Sequence, residues 1–318
     1  MTDTRQVAPP VTAQAVLSRL TGAAIFLVAT VNPGGERSVR DLLGQLSGLQ
    51  RSVGFRIPDG ELSCVAAIGA RVWPRLFADD PPARLHTFPE LVGPTHRAPS
   101  TAGDLLFHLR AAQLDLCFEL ATQIVSRLAG AATIVDEVQG FKYFDERDLL
   151  GFVDGTENPT GDEARSAVTV VDDSPYAGGS YVVVQKYVHD LHAWNALSVE
   201  DQERVIGRTK LDNLELPEDR KPADSHVALN TITDANGEEQ KILRDNMPFG
   251  SPGRGEFGTY YIAYAADPDV IERMLRNMFI GDPPGTTDRI LDFSTATTGA
   301  LFYVPTTEFL DDLPPGAQ

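Results

Sequence analysis

The sequence predicts an α+β fold of two split βαβ (ferredoxin-like) units joined as a pseudo-duplicated α+β barrel. Three observations carry this. In the first half, apolar runs and amphipathic segments alternate in the order β-α-β-β-α-β. The second half repeats that order coarsely, although no residue-level repeat is present. The segment KYFDERDLLGFVDG (142–155) interrupts the pattern with turns. The 318 residues also suit about two domains at ~150 residues each. The first unit is placed at 1–145 and the second at 146–312, with a tail over 313–318, the end of the acidic, proline-bearing FLDDLPPGAQ, that is expected to fray. Two such units are expected to join their sheets face to face, with helices outside.

AAIFLVATV (23–31) is too short to span a bilayer, which takes ~20 apolar residues, and reads as a buried strand. SVRDLLGQLSGLQRSV (38–53) carries apolar residues at helical spacing. LSCVAAIG (62–69) is a second strand, followed by a short helical RVWPRLF and a proline-rich loop. GDLLFHLRA (103–111) is a third strand. QLDLCFELATQIVSRLAG (113–130) is an amphipathic helix closed by Gly130, and ATIVDEVQGF is the fourth strand. In the second half, SYVVVQKYVHD (180–190) is a strand and HAWNALSVEDQERVIG is helical. TYYIAYAA (259–266) is a strand. DPDVIERMLRNMFIG (267–281) is a helix with Asp at its start and Gly at its end, and ALFYVP is a last short strand.

Composition narrows the function. Lys and Arg number 27 against 45 Asp and Glu, a net charge of −18. Such a surface opposes nucleic acid and anionic membranes, and favours cations or neutral molecules over anionic substrates. Cys64 and Cys117 each lie in an apolar run without metal-site spacing, so both read as small buried hydrophobes. The polar N-terminus MTDTRQVAPPVTAQ shows no signal-peptide pattern, so a cytoplasmic, reducing compartment is expected.

Three segments do not read as packing. GFVDGTENPTGDEARSA (151–167) is an irregular glycine-bearing loop that can bring Asp154 against a cofactor face or can be an ordinary turn. KPADSHVALNTIT (221–233) sets His226 at the start of an alternating run that looks like a short strand. KILRDNMPFGSPGRGEFGTYY (241–261) runs Arg244, Asp245 and Asn246 directly into an apolar, glycine-rich stretch, where a buried arginine needs a charged partner or an anion. His189 and His192, three apart, are a weaker metal-binding pair without a third ligand.

GFVDGTENP, then a histidine about seventy residues on in DSHVAL, then ILRDNMPFG, resembles the dye-decolorizing peroxidase family of haem peroxidases, in its bacterial B-type subgroup. The resemblance covers nearly the whole chain, including LDFSTATTG near its end. It implies a pair of ferredoxin-like units with one haem b in the C-terminal unit. It implies His226 as the axial ligand of the iron, and Asp154, Arg244 and Asn246 on the distal face. The axial imidazole needs an acceptor for its second nitrogen, and Asp288 in TTDRILDF is the candidate. Arg208 and the backbone of Gly155, Thr156 and Glu157 are candidates for the haem propionates.

The function so implied is reduction of hydrogen peroxide through a ferryl-oxo intermediate, with oxidation of dyes, phenols or other small aromatic donors. A haem carrier or iron-release protein with incidental peroxidase turnover is the alternative. Trp194, Tyr187 and Tyr143 are candidate surface exits for electrons, and Glu157, Glu215 and Glu239 a candidate manganese set. The resemblance also implies a homo-oligomer. The chain ends at LPPGAQ without the apolar tail that loads some relatives into a nanocompartment, so cargo status is not expected.

Overall fold

The computed structural model describes residues 12–173 and 175–317, so most of the polar N-terminal stretch and Gln318 lie outside the described residues. The N-terminal half contains β1 (Ala23–Val31), α1 (Glu36–Gly54), β2 (Ser63–Gly69), β3 (Leu105–Ala111), α2 (Leu114–Arg127) and β4 (Ala132–Phe141). The C-terminal half contains β5 (Ser180–His189), α3 (Val199–Ile206), α4 (His226–Asn230), β6 (Leu243–Arg244), β7 (Met247–Ser251), β8 (Glu256–Ala265), α5 (Pro268–Phe279), β9 (Ser294–Ala296) and β10 (Ala300–Val304).

These ten strands form a single antiparallel sheet in the order β4-β1-β3-β2-β10-β5-β8-β6, with β9 on β5 and β7 on β8. In the N-terminal half the first strand, β1, lies between β3 and the last strand, β4; in the C-terminal half the first strand, β5, lies between β8 and the last strand, β10, so the duplication expected from element order is present in the topology. The halves meet edge to edge as well as face to face, because β10 pairs with β2 through Phe302–Gly69 and Tyr303–Ile68. At the other end β4 lies against β7, and the sheet nearly closes. A Cβ on Gly140 would stand 2.5 Å from the Met247 Cβ, so this seam needs glycine.

The nearly closed sheet explains the uninterrupted apolar strands. One face of β1, through Phe26 and Val28, joins Leu106, Val184, Ile262 and Phe302 inside the barrel. Its other face, through Ile25 and Leu27, packs under Val39, Leu42, Leu46 and Leu49 of α1 and Leu116, Leu120 and Ile124 of α2. Each of these large side chains contributes about 1.5–3 kcal/mol on full burial. The helical 192–207 segment is split into Leu191–Asn195 and α3, because the Ser198 side chain caps α3 by accepting from Asp201 N at 3.1 Å. Asp267 caps α5 in the same way at 3.1 Å, with Pro268 in the first turn.

The tail expected to fray is instead tied down. Arg40 donates to the Pro314 carbonyl at 2.6 Å and Ala78 N to that of Pro315 at 3.0 Å.

Candidate active site

The run that holds His226 is a short helix, α4, rather than a strand. Its Val-Ala-Leu alternation is too short to separate the two periods. The helix puts Asn230 one turn after His226, and Asn230 Nδ2 donates to the His226 carbonyl at 2.8 Å. His226 Nδ1 lies 2.7 Å from Asp288 Oδ2. Asp288 is fully buried, and its other oxygen accepts from Ile290 N at 3.0 Å, which caps the 3-10 turn Arg289–Asp292. The carboxylate therefore fixes Nδ1 as the protonated nitrogen and turns Nε2 outward. Among the described residues nothing hydrogen-bonds Nε2, and the ring is 30% exposed.

The second wall comes from residues 244–246 and the 151–158 loop. The ladder between β8 and the 243–251 segment keeps one register, from Arg244 opposite Ala263 to Met247 opposite Tyr260. Alternation sends Arg244 and Asn246 to the cavity and Asp245 into the barrel. Ile262 N donates to the Asn246 side-chain Oδ1 at 3.0 Å. That contact fixes the amide orientation, so Nδ2 is the group that reaches Asp154, at 3.2 and 3.1 Å from its two oxygens. Gly155, at φ +71, donates its N–H to Asp154 Oδ1 at 2.7 Å. Asn158 clamps the loop to the strand, donating to the Arg244 carbonyl at 2.6 Å and accepting from Arg244 N at 2.9 Å. Among the described residues Arg244 Nε is buried without a partner.

His226, Asp154, Arg244 and Asn246 line one cavity, together with Tyr187 and Tyr261. An adjoining cavity shares His226, Asp154 and Arg244 and continues to Thr156, Arg208 and Lys241.

Of two titratable groups on the wall, Asp148 escaped sequence reasoning and His189 figured there only as a weak metal ligand. Burial, with Asp154 nearby, pushes the Asp148 carboxyl up to about 7. Burial drives His189 down to about 4, and Ser294 and Thr259 hydroxyls hold its two nitrogens at 2.8 and 2.9 Å. That occupancy removes the His189–His192 metal pairing.

Asp148 gives a pH signature. Between about pH 4 and 7 the folded chain keeps a proton on Asp148 that the unfolded chain has lost. This contribution is fully present below pH 4 and disappears as pH rises through about 7. Urea midpoints of the wild type relative to Asp148→Asn will therefore fall from pH 5 to pH 7.5. A constant difference across that window would refute the assignment.

Several expectations are revised. The Gly155 N–H, one of the expected propionate donors, is donated to Asp154. Arg208 is not a plain surface cation: its Nη1 pairs with Glu157 at 2.8 Å and its Nε with Asn213 at 3.0 Å. Glu157, Glu215 and Glu239 each pair with lysine or arginine rather than with one another, and no metal-ligating cluster of three occurs among the described residues. Trp194 is fully buried and donates to the Leu150 carbonyl at 2.9 Å, and Tyr187 is buried on the cavity wall. Neither is a surface aromatic. Cys64 and Cys117 are buried free thiols, as their apolar surroundings imply.

Fold and site together define a pseudo-duplicated α+β barrel protein that presents a carboxylate-oriented imidazole to a cavity carrying an arginine, an aspartate and an amide. Residues 13–142 match the family model for the N-terminal part of Dyp-type peroxidases and residues 145–309 that for the C-terminal part. The chain belongs to the Dyp-type peroxidase family. It is 62% identical over 308 residues to the dye-decolorizing peroxidase of Mycolicibacterium paratuberculosis, covering 96% of this chain and 87% of the relative. It superposes on the encapsulated DyP-type peroxidase from Mycobacterium smegmatis with a TM-score of 0.95 at 61% identity, covering 96% of this chain and 99% of that one. A DypB variant of Rhodococcus jostii solved in complex with heme gives a TM-score of 0.92 at 57% identity, covering 94% and 98%.

Proposed function

We propose that this chain is a haem-dependent peroxidase of the dye-decolorizing type, with one haem b per chain in its C-terminal unit. The observation that carries the reading is His226. Its Nδ1 is committed to Asp288, its Nε2 is free of partners among the described residues, and it shares a cavity with Asp154, Arg244 and Asn246. The residues fit the group chemically. A neutral imidazole with an acceptor behind it suits an iron centre, and the orphaned Arg244 Nε is a donor that an oxygen ligand in the pocket would satisfy.

When bound, haem supplies the iron that takes up peroxide and the oxidising equivalents passed to the reductant. The protein side chains handle protons and charge. An Asp154 oxygen would accept a proton from peroxide and return it to the departing oxygen. Arg244 stays protonated, so it acts as a fixed cation for charge developing on the departing oxygen. Asn246 Nδ2, aimed by Ile262 N–H, holds the Asp154 carboxylate in place. The N–H groups of Thr156 and Glu157, with Arg208, would hold the haem propionates, Arg208 sharing its guanidinium with Glu157. A simple haem carrier has no need of this convergence of acid, cation and amide, which favours the peroxidase. A cytoplasmic location and homo-oligomeric assembly complete the reading.

The test is the absorption spectrum of purified protein before and after peroxide, followed by turnover with an anionic dye and a neutral phenol. A Soret band that changes on adding peroxide is expected. With the −18 surface, acidification partly neutralises the repulsion of anions, so the dye-to-phenol ratio of kcat/KM will rise from pH 7 to pH 5. An alkaline optimum for the anionic dye would contradict the charge argument, and a haem-free protein would overturn the function.

A further inference from the structure

On the side of residues 244–246 turned away from the cavity lies a charged pair that the proposed reaction does not use. Arg110, on β3 of the N-terminal unit, is fully buried, and Asp245 is 6% exposed. Arg110 Nη1 donates to Asp245 Oδ2, and Nη2 donates to the Ala15 carbonyl. His108 sits beside the pair, with Nδ1 2.8 Å from the Tyr264 hydroxyl and Nε2 3.9 Å from Asp245. Burial pushes the Asp245 carboxyl up while Arg110 opposes this, and it drives His108 well below its ordinary value.

Burying two charges is costly, and an apolar pair of similar volume often serves stability as well. The position of Asp245 suggests what the pair does. It stands between Arg244 and Asn246, at the point where the ladder to β8 is altered. Asp245 N donates to the Ile262 carbonyl at 3.0 Å, but Ile262 N goes to the Asn246 side chain instead of the Asp245 carbonyl that the register would offer. One of the two backbone bonds is therefore lost at residue 245, and the Arg110 contact supplies a second anchor from the opposite side of the strand.

We propose that Arg110, acting through Asp245, is a positioning residue for Arg244 and Asn246, so that the N-terminal unit sets the orientation of the donors in the cavity of the C-terminal unit. The inference rests on the peroxidase reading for its functional consequence, but not for its structural one.

The double variant Arg110→Met/Asp245→Leu removes both charges and leaves neither stranded, whereas Arg110→Met alone leaves a buried carboxylate unpaired and will lower Tm. In the haem-loaded double variant, Tm and haem retention are expected to match the wild type. The cyanide Kd is expected to rise, and the rate of the peroxide-induced spectral change to fall, each at least tenfold. Arg110→Lys, which keeps the charge, should recover part of both. Hydrogen exchange gives a readout independent of haem: amides at 244–247 will exchange at least tenfold faster in the double variant, with β5 unchanged. A purely structural pair predicts wild-type cyanide affinity and wild-type exchange in the double variant, and that result overturns the proposal. Altered exchange in a protein that never shows a cyanide response would retain the anchor and reject the haem reading.

Discussion

Replacing His226 with alanine is expected to abolish stable haem binding while leaving the barrel folded. The ring contributes one nitrogen to Asp288 and offers the other to the cavity, so little of the core depends on it. Asp288 keeps the Ile290 N–H at 3.0 Å after the substitution, with Asn230 Nδ2 at 3.4 Å, so its buried carboxylate is not stranded. Haem retained after gel filtration should drop at least tenfold, the Soret band should shift or vanish, and far-UV circular dichroism should be unchanged. Asp288→Asn tests the second half of the arrangement. An amide offers a weaker acceptor to Nδ1–H, and loss of such an outer partner typically costs 10–100-fold in affinity or activity. Added imidazole should restore part of the Soret intensity to His226→Ala. An alanine variant with wild-type spectrum and retention would remove His226 from the iron.

Much of this site was legible because three short segments, around Asp154, His226 and Arg244, resemble those of a known family in the same order; residue type alone left each open to an ordinary structural reading. Asp154 stands among glycines, and Arg244 and Asn246 flank an acid before an apolar stretch. Asp288 was found by asking which acid could back an imidazole, and the structure places it there. What stayed hidden depends on long-range pairing. The segment around 243–251 belongs to the sheet, but Asp-Asn and Met-Pro have poor strand propensity, and the pairing with β8 decides the outcome. Asn158 looked like a turn residue, and its clamp on Arg244 spans 86 positions. Asp148 carries no sequence signal at all, since only the folded surroundings raise its affinity for a proton. The element order of the two units was readable, whereas the β2–β10 seam that makes them one sheet was not, because edge pairing between distant strands leaves no periodic trace.

The geometry also ranks the two charged groups in the pocket. Asp154 is already engaged, with Gly155 N on Oδ1 and Asn246 Nδ2 on both oxygens, so much of its lone-pair capacity is committed before peroxide arrives. Arg244 is held at its backbone by Asn158 while its Nε has no partner among the described residues. A fixed cation with an unspent donor is the group best placed to stabilise charge that appears only as the O–O bond breaks. Removing one such donor costs on the order of 10²–10³ in rate. Arg244→Leu is therefore expected to slow the peroxide-induced spectral change at least a hundredfold with haem retention intact. Asp154→Ala should slow it about tenfold, since a water in the vacated space can relay the proton that Asp154 would carry. Stopped-flow traces of the three proteins at one pH decide the matter. If Asp154→Ala proves slower than Arg244→Leu, the carboxylate is the principal group and its hydrogen bonds to Asn246 and Gly155 serve to aim it rather than occupy it. If neither variant loses tenfold, the cavity wall formed by 244–246 and the 151–158 loop is not where peroxide is cleaved.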